Sequence, residues 1–248
     1  MTTFARHYWL DTRFTTLELL RLPAYSVPSL TMPTMLYLFF GLGISHAGII
    51  GRYVLASYAA FAVIGVALFQ FGVGIAHDRV SAWESHLRTV PISGTARLAA
   101  RLTSALVFAG AAAALVIFCG VFLGHISLAP VEWVRFIGAL LIGGTVFGAA
   151  GMVIGYWTTP KTSAPITNFT YLPLAFIGGL WLPPQYLPKI VAAISPWTPT
   201  RQFGELVWSS VSGQHWQPES LEILAGYAVL LAAAAVAGYR RDQAQRYG

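Results

Sequence analysis

Four side chains that could bind a metal ion or transfer a proton lie close together in one charged segment: His77, Asp78, Glu84 and His86. Two imidazoles and two carboxylates would suit a divalent cation if a helix brought them to one face. Their spacing does not match H-E-x-x-H, in which two histidines four residues apart share a helix face. We therefore interpret the cluster as the polar face of an interfacial helix and predict no metal site and no catalytic residues.

Nucleotide chemistry has no sequence signal in this chain. There is no G-x-x-x-x-G-K-[ST] segment, the loop that holds nucleotide phosphates. We predict that the chain binds no cofactor of its own and that any ATP-driven step is performed by another polypeptide. Cys119 is the only cysteine, which excludes an internal disulfide and a cysteine metal cluster. An intramembrane enzyme would need polar groups converging at membrane depth, and the apolar segments do not supply them.

The composition is that of a membrane protein. Hydrophobic residues make up 56% of the chain and charged residues 10%, whereas a soluble domain is about a quarter charged. The charges are clustered, and the gaps between them can hold helices of about 20 residues, enough to cross a hydrocarbon core of about 30 Å. We predict an all-α integral membrane protein with six spans, at residues 28–45, 53–76, 99–123, 136–157, 165–182 and 221–239.

The basic residues indicate the orientation of these spans. With six spans both termini share one side, and eleven of the fifteen Lys and Arg residues fall on that side. The positive-inside rule then places both termini in the cytoplasm. The net charge of +6 is explained by orientation and by contact with anionic membrane lipids, and we predict no nucleic-acid partner.

Two segments predict helices that do not span. Residues 1–25 carry apolar and basic side chains on roughly opposite sides, which favours an interfacial helix on the cytoplasmic surface. Residues 78–91 place Trp83 and Leu87 at helical spacing and pair Glu84 with Arg88 four residues later. Pro91 should end this short cytoplasmic helix.

Small residues predict close helix packing in the third and fourth spans. The third contains "AGAAAA", and the fourth has Gly144, Gly148, Gly151 and Gly155 at small-xxx-small spacing. In lipid, close backbone approach at such positions replaces hydrophobic burial as a source of attraction. We expect both helices to pack tightly within the protein.

The stretch "GGLWLPPQYLPKIVAAISPWTPT" has five prolines within seventeen residues yet stays apolar. Backbone groups freed by proline cannot face lipid, so the fifth helix should end near Trp181, at the membrane surface or against protein. We predict two short helices, about Pro184 to Ser195 and Thr198 to Ser210. Together they form a re-entrant hairpin over 184–210 that enters the external leaflet and returns.

The order of these parts resembles the membrane subunit of ABC-2 type ABC transporters. The resemblance is carried by "DRVSAWESHLRTVPISGTARLAARL" and by "PITNFTYLPLAFIGGLWLPPQYLPKIVAAISPWTPTRQFGELVW". It implies a permease homodimer in a bacterial-type cytoplasmic (inner) membrane that exports its substrate. Two copies of a separate ABC ATPase subunit would bind ATP and Mg. Spans without buried charge favour a hydrophobic or amphipathic cargo such as a drug, a lipid or a lipid-linked product.

The resemblance also assigns roles to particular residues of this sequence. The coupling helix would use Asp78, Arg79, Trp83, Glu84, Leu87 and Arg88 to contact the ATPase. The translocation pathway would be lined by Met35, Tyr37, Phe39, Asn168, Tyr171 and Phe176. An external gate would be formed by Trp181 and Leu182.

Two other classes of protein fit the composition. One is a membrane-embedded enzyme that modifies lipids, which would be active without a partner. The other is a channel or a regulatory membrane subunit, which would pass ions or act without nucleotide.

Overall fold

A computed structural model describes residues 3–21, 23–45, 48–81 and 94–247. These ranges contain helices and connecting turns, without a β-strand. The elements are α1 (Thr3–Arg21), α2 (Pro23–Leu36), a π-helical turn (Tyr37–Gly41), α3 (Leu42–Ser45), α4 (Ile49–Asp78), α5 (Gly94–Phe122), α6 (Pro130–Trp157), α7 (Pro160–Ile177), α8 (Lys189–Ile194), α9 (Pro199–Val211) and α10 (Pro218–Tyr247). Short 3₁₀ turns, Pro184–Tyr186 and Ser195–Trp197, flank α8. The predicted all-α fold is confirmed.

Four helices within the described ranges are long and apolar enough to cross a membrane. They are Ile49–Asp78, Ala100–Phe122, Pro130–Trp157 and Pro218–Ala244, and they coincide with the predicted second, third, fourth and sixth spans. The predicted first span is divided among α2, the π turn and α3. The fifth, α7, has 18 residues and contains Pro165 and Pro173. The count of six spans therefore stays a prediction.

The end of α7 differs from the prediction. The helix ends at Ile177, before the predicted limits at Trp181 and residue 182. Gly179 has φ +79°, and the Leu180 N–H donates to the Ala175 carbonyl at 3.1 Å. This is a glycine C-cap of the Schellman type. The helix is thus ended by a left-handed glycine, several residues before Pro183 and Pro184.

Helix α4 is the centre of the fold. Every residue from Leu55 to Leu68 is buried, and α5, α6, α7 and α9 all pack against it. A Cβ atom added at Gly155 would lie 2.6 Å from the Phe71 carbonyl oxygen, and one at Gly151 would lie 2.8 Å from that of Ala67. Gly151 and Gly155 of α6 therefore mediate close packing against the backbone of α4. Helix α5 contacts α4 more extensively than it contacts α6.

In the segment 184–210, the second predicted helix is present as α9, Pro199–Val211. The first, predicted from Pro184 to Ser195, is divided into the 3₁₀ turn Pro184–Tyr186 and the short helix α8, because Pro188 cannot continue the turn before it. In α9 the side chains of Phe203, Leu206 and Val207 are fully buried, in contact with α4 and α6. The preceding helix α8 is mostly exposed, and the exposed fraction of its Ile190 is 78%. One helix is thus part of the core, and the other presents an apolar surface.

Candidate functional site

The predicted pathway residues divide into exposed and buried groups. Met35, Phe39 and Asn168 are exposed, and the exposed fraction of Phe39 is 72%. Phe176 is half-buried. Tyr37 and Tyr171 are buried, and both lie against α4. Residues 35–39 and helix α7 therefore each present some of the predicted pathway residues to the chain's own core and others to the surface.

The π turn positions Tyr37. Its five residues, Tyr37–Gly41, follow the two prolines within α2, and the Leu42 N–H donates to the Tyr37 carbonyl. A Cβ at Gly41 would lie 2.6 Å from the Tyr37 ring, so glycine permits the ring to cover the turn. The ring also meets Tyr58 of α4 at 5.8 Å in an edge-to-face contact. Such turns recur at functional sites in helices.

An aromatic stack joins the predicted pathway to the predicted gate. The Tyr171 ring stacks on Phe61 with centroids 4.5 Å apart, and its hydroxyl donates to the Phe61 carbonyl at 2.9 Å. Trp181 contacts the same Phe61 ring edge-on at 5.4 Å. Gly65 provides the space, since a Cβ there would lie 2.7 Å from the Tyr171 hydroxyl. Phe61 was not predicted as a pathway or gate residue, because nothing in the sequence distinguishes it within a long apolar run.

The segment between α7 and α9 is held by hydrogen bonds to the end of α7 and to α10. Ser195 donates from its hydroxyl to the Ile177 carbonyl at 2.6 Å, and the Tyr227 hydroxyl of α10 donates to the Trp197 carbonyl at 2.7 Å. Trp181 is 39% exposed and Leu182 is half-buried. The two predicted gate residues thus lie on a short connection whose neighbours are held by hydrogen bonds.

One charged cluster, the Arg52 clasp, joins α4, α6 and α9. The Arg52 guanidinium lies 3.2 Å from the Glu132 carboxylate and donates to the Val211 carbonyl at 3.2 Å. Glu132 also accepts the backbone N–H of Ala129, at the start of α6, at 2.6 Å. A carboxylate in the first turn of a helix is favourable because it faces the positive end of the helix dipole.

A second cluster, the Arg79 clasp, lies at the other end of α4. The Arg79 guanidinium donates to Asp242 of α10 at 2.9 Å and to the carbonyls of Tyr156 and Thr158 at 2.9 and 2.7 Å. The exposed fractions of the Arg79 and Asp242 side chains are 16% and 10%. The clasp fixes the ends of α4, α6 and α10 to one another.

The structure thus gives two of the predicted coupling residues partners within the chain. Arg79 belongs to the clasp, and Asp78 forms an ion pair with Arg101 of α5. The other four, Trp83, Glu84, Leu87 and Arg88, lie outside the described residues. Asp242 was not predicted as a partner, because 163 residues separate it from Arg79.

Two of the four candidate metal ligands of the charged segment, Glu84 and His86, also lie outside the described residues. In the portion of the chain that the structure describes, no three His, Cys, Asp or Glu side chains are grouped so that they could hold a metal ion. The described ion pairs of the long helices, the Arg52 and Arg79 clasps and Asp78 with Arg101, lie at or near helix ends.

Apolar helices of spanning length around α4, with charged contacts near their ends, define an integral membrane protein. The chain belongs to the ABC-2 type transporter family, which it matches over residues 6–210. It is also similar to YvfS of Bacillus subtilis (strain 168), a protein that bears the name of a transport permease. The two are 28% identical over 206 residues, covering 82% of this chain and 84% of the relative.

Membership of this family confirms the resemblance seen in the sequence. The chain is a transporter subunit and not a lipid-modifying enzyme, and the family works together with an ABC ATPase.

Proposed function

We propose that two copies of this chain form the membrane path of an exporter driven by two copies of a separate ABC ATPase. The observation that carries the proposal is the division of faces on the π turn and α7. Tyr37 and Tyr171 pack into the chain's own core, while Phe39 and Asn168 lie at its surface. An exposed amide on an apolar helix is better suited to a protein-lined path than to lipid.

The chemistry of these exposed side chains favours a hydrophobic or amphipathic cargo. Met35 and Phe39 offer apolar contact, and Asn168 offers one hydrogen-bonding amide. A bare ion would need compensating charges at membrane depth, whereas the described ion pairs of the spanning helices lie near helix ends. A drug, a lipid or a lipid-linked product fits these exposed side chains. ATP and Mg are proposed to bind to the partner ATPase subunit.

The external element is proposed to cap this path. Ile190, Ile194 and Trp197 are exposed on and beside α8. Because a large exposed apolar patch is unfavourable in water, we propose that α8 lies within the external leaflet as part of a re-entrant hairpin. Trp181 and Leu182 then act as the gate, with the Phe61 contact transmitting the position of Tyr171 to Trp181.

Coupling to the ATPase is proposed to depend on the helix within 78–91, with Trp83 and Leu87 inserted into a groove of the partner. Large aromatic side chains are the usual anchors of interfaces, whereas a helical charge pair contributes only about 0.2–0.5 kcal/mol. Trp83→Ala should therefore uncouple ATP hydrolysis from transport more strongly than Arg88→Ala. Both activities are measured in vesicles containing the permease and its ATPase. Normal transport by the Trp83 variant, at normal abundance, would overturn this assignment.

The proposed topology has six spans with both termini in the cytoplasm of a bacterial-type inner membrane. In a Cys119→Ala background, cysteines at Ser127 and Gln214 should react with an impermeant thiol reagent from outside, and cysteines at Ser85 and Thr162 should not. Ser127, Thr162 and Gln214 are all exposed in the folded chain. The reverse pattern contradicts the orientation, and external labelling at both Ser85 and Ser127 contradicts the number of spans.

A further inference from the structure

A groove of about 520 Å³ lies between α1 and α5, formed by residues that the proposed path does not use. One wall is a face of α1 that includes Trp9 and Arg13, and the other is Thr103 and Val107 of α5. The transport proposal assigns no role to these residues.

The two helices cross at this groove. The Tyr8 hydroxyl hydrogen-bonds to the Thr103 hydroxyl at 2.7 Å, and the Thr16 hydroxyl donates to that of Ser104 at 3.1 Å. Tyr8 and Thr16 are eight residues apart, about 12 Å along α1, yet their partners are adjacent on α5. Helix α1 therefore crosses α5 and does not run along it. Thr103 and Ser104 lie just inside the apolar helix Ala100–Phe122, which places the groove where that helix enters the membrane.

The groove combines a cation with an apolar wall. The Arg13 guanidinium lies over the Trp9 ring at 5.6 Å, and both side chains are exposed. Within the described part of the chain, no ion pair involves Arg13. Val107, which is 50% exposed, and Leu17 provide apolar surface. A guanidinium suits a phosphate, tryptophan suits the headgroup region, and the apolar wall suits an acyl chain.

We propose that this groove binds one anionic phospholipid, with its phosphate on Arg13, its glycerol region beside Trp9 and an acyl chain along Val107. A free phosphate would use Arg13 alone and would leave the apolar wall without a role. The proposal does not depend on transport, because it concerns only how α1 is held at the membrane surface.

Lipid binding to the purified full-length chain in detergent tests the site. Phosphatidylglycerol and phosphatidylcholine are titrated separately, and bound lipid is counted by native mass spectrometry. The wild type should bind phosphatidylglycerol more tightly than phosphatidylcholine. Arg13→Gln should weaken phosphatidylglycerol binding roughly fivefold, as expected for one basic residue at an anionic surface. Arg21→Gln is the matched control, because Arg21 is exposed on the same helix but lies outside the groove.

Trp9→Ala, which removes an exposed side chain, should also weaken phosphatidylglycerol binding and provides a second variant of the groove. Equal losses for Arg13→Gln and Arg21→Gln would show general surface attraction and overturn the proposal, as would equal affinity for the two lipids. Displacement of the lipid by millimolar glycerol phosphate would overturn it as well, because the site would then recognise a soluble phosphate.

Discussion

Gly155→Leu is expected to destabilise the folded chain strongly. A Cβ atom at this position would lie 2.6 Å from the Phe71 carbonyl oxygen and 2.7 Å from the Ile75 Cβ. Neither atom can rotate away, because one belongs to the backbone of α4 and the other is attached directly to it. The leucine would therefore force α4 and α6 apart along the most extensive helix contact in the described structure.

The expected cost of Gly155→Leu is about 3 kcal/mol or more, since overpacking usually costs about 1–3 kcal/mol when side chains can still move. The measurement is thermal unfolding of the detergent-purified protein, together with its abundance in the membrane. Gly110→Leu on α5 and Gly226→Leu on α10 are the controls, because no atom lies within 4 Å of a Cβ added at either position. If all three variants unfold at the same temperature, the glycine contact between α4 and α6 is wrong.

Asp242→Ala should be the second severe substitution, because it removes the Asp242 carboxylate from a mostly buried guanidinium. Breaking a buried ion pair by removing one partner costs about 3–5 kcal/mol. We expect about 3 kcal/mol, the low end of that range, since the carbonyls of Tyr156 and Thr158 still accept hydrogen bonds from Arg79. The same unfolding assay measures the loss.

A matched control for the Arg79 clasp is the pair formed by Arg201 and Glu205 within α9, whose side chains are 20% and 33% exposed. Glu205→Ala should cost only about 0.3–0.5 kcal/mol, as for other pairs of residues four apart on a helix. The double variant Arg79→Met, Asp242→Leu should recover part of the stability lost by Asp242→Ala, because it replaces both charges of the buried pair by apolar side chains. An Asp242→Ala loss no larger than that of Glu205→Ala would show that the clasp does not hold the three helices together.

The features that could be predicted from the sequence are those that depend on local composition. Uncharged stretches of spanning length correspond to α4, α5, α6 and α10, because length and apolarity alone make a helix suited to a membrane. Prolines correctly separated the short helices that became α8 and α9. The end of α7 at Ile177 was also encoded locally, in the adjacent Gly178 and Gly179, whereas Pro183 and Pro184 predicted a later end.

The features that could not be predicted depend on contacts between distant parts of the chain. Arg79 meets Asp242 only because three helices end together, and one sequence contains no record of that proximity. Tyr37 and Phe39 lie about 200° apart on a helix, so the 3.6-residue periodicity predicts opposite faces for them. It could not show which of the two aromatic side chains faces the core. The division of the predicted pathway residues into exposed and buried sets required the folded chain.

The central claim is that this chain is a permease powered by a separate ATP-binding subunit. The most direct measurement is ATP hydrolysis by the purified chain alone, by its ATPase alone and by the two purified as a complex. We expect no hydrolysis by the chain alone, a stable complex, and faster hydrolysis in the complex than by the ATPase alone, with a further increase when the cargo is added. Transport or ion flux by the chain in vesicles that contain neither nucleotide nor any ATPase would contradict it.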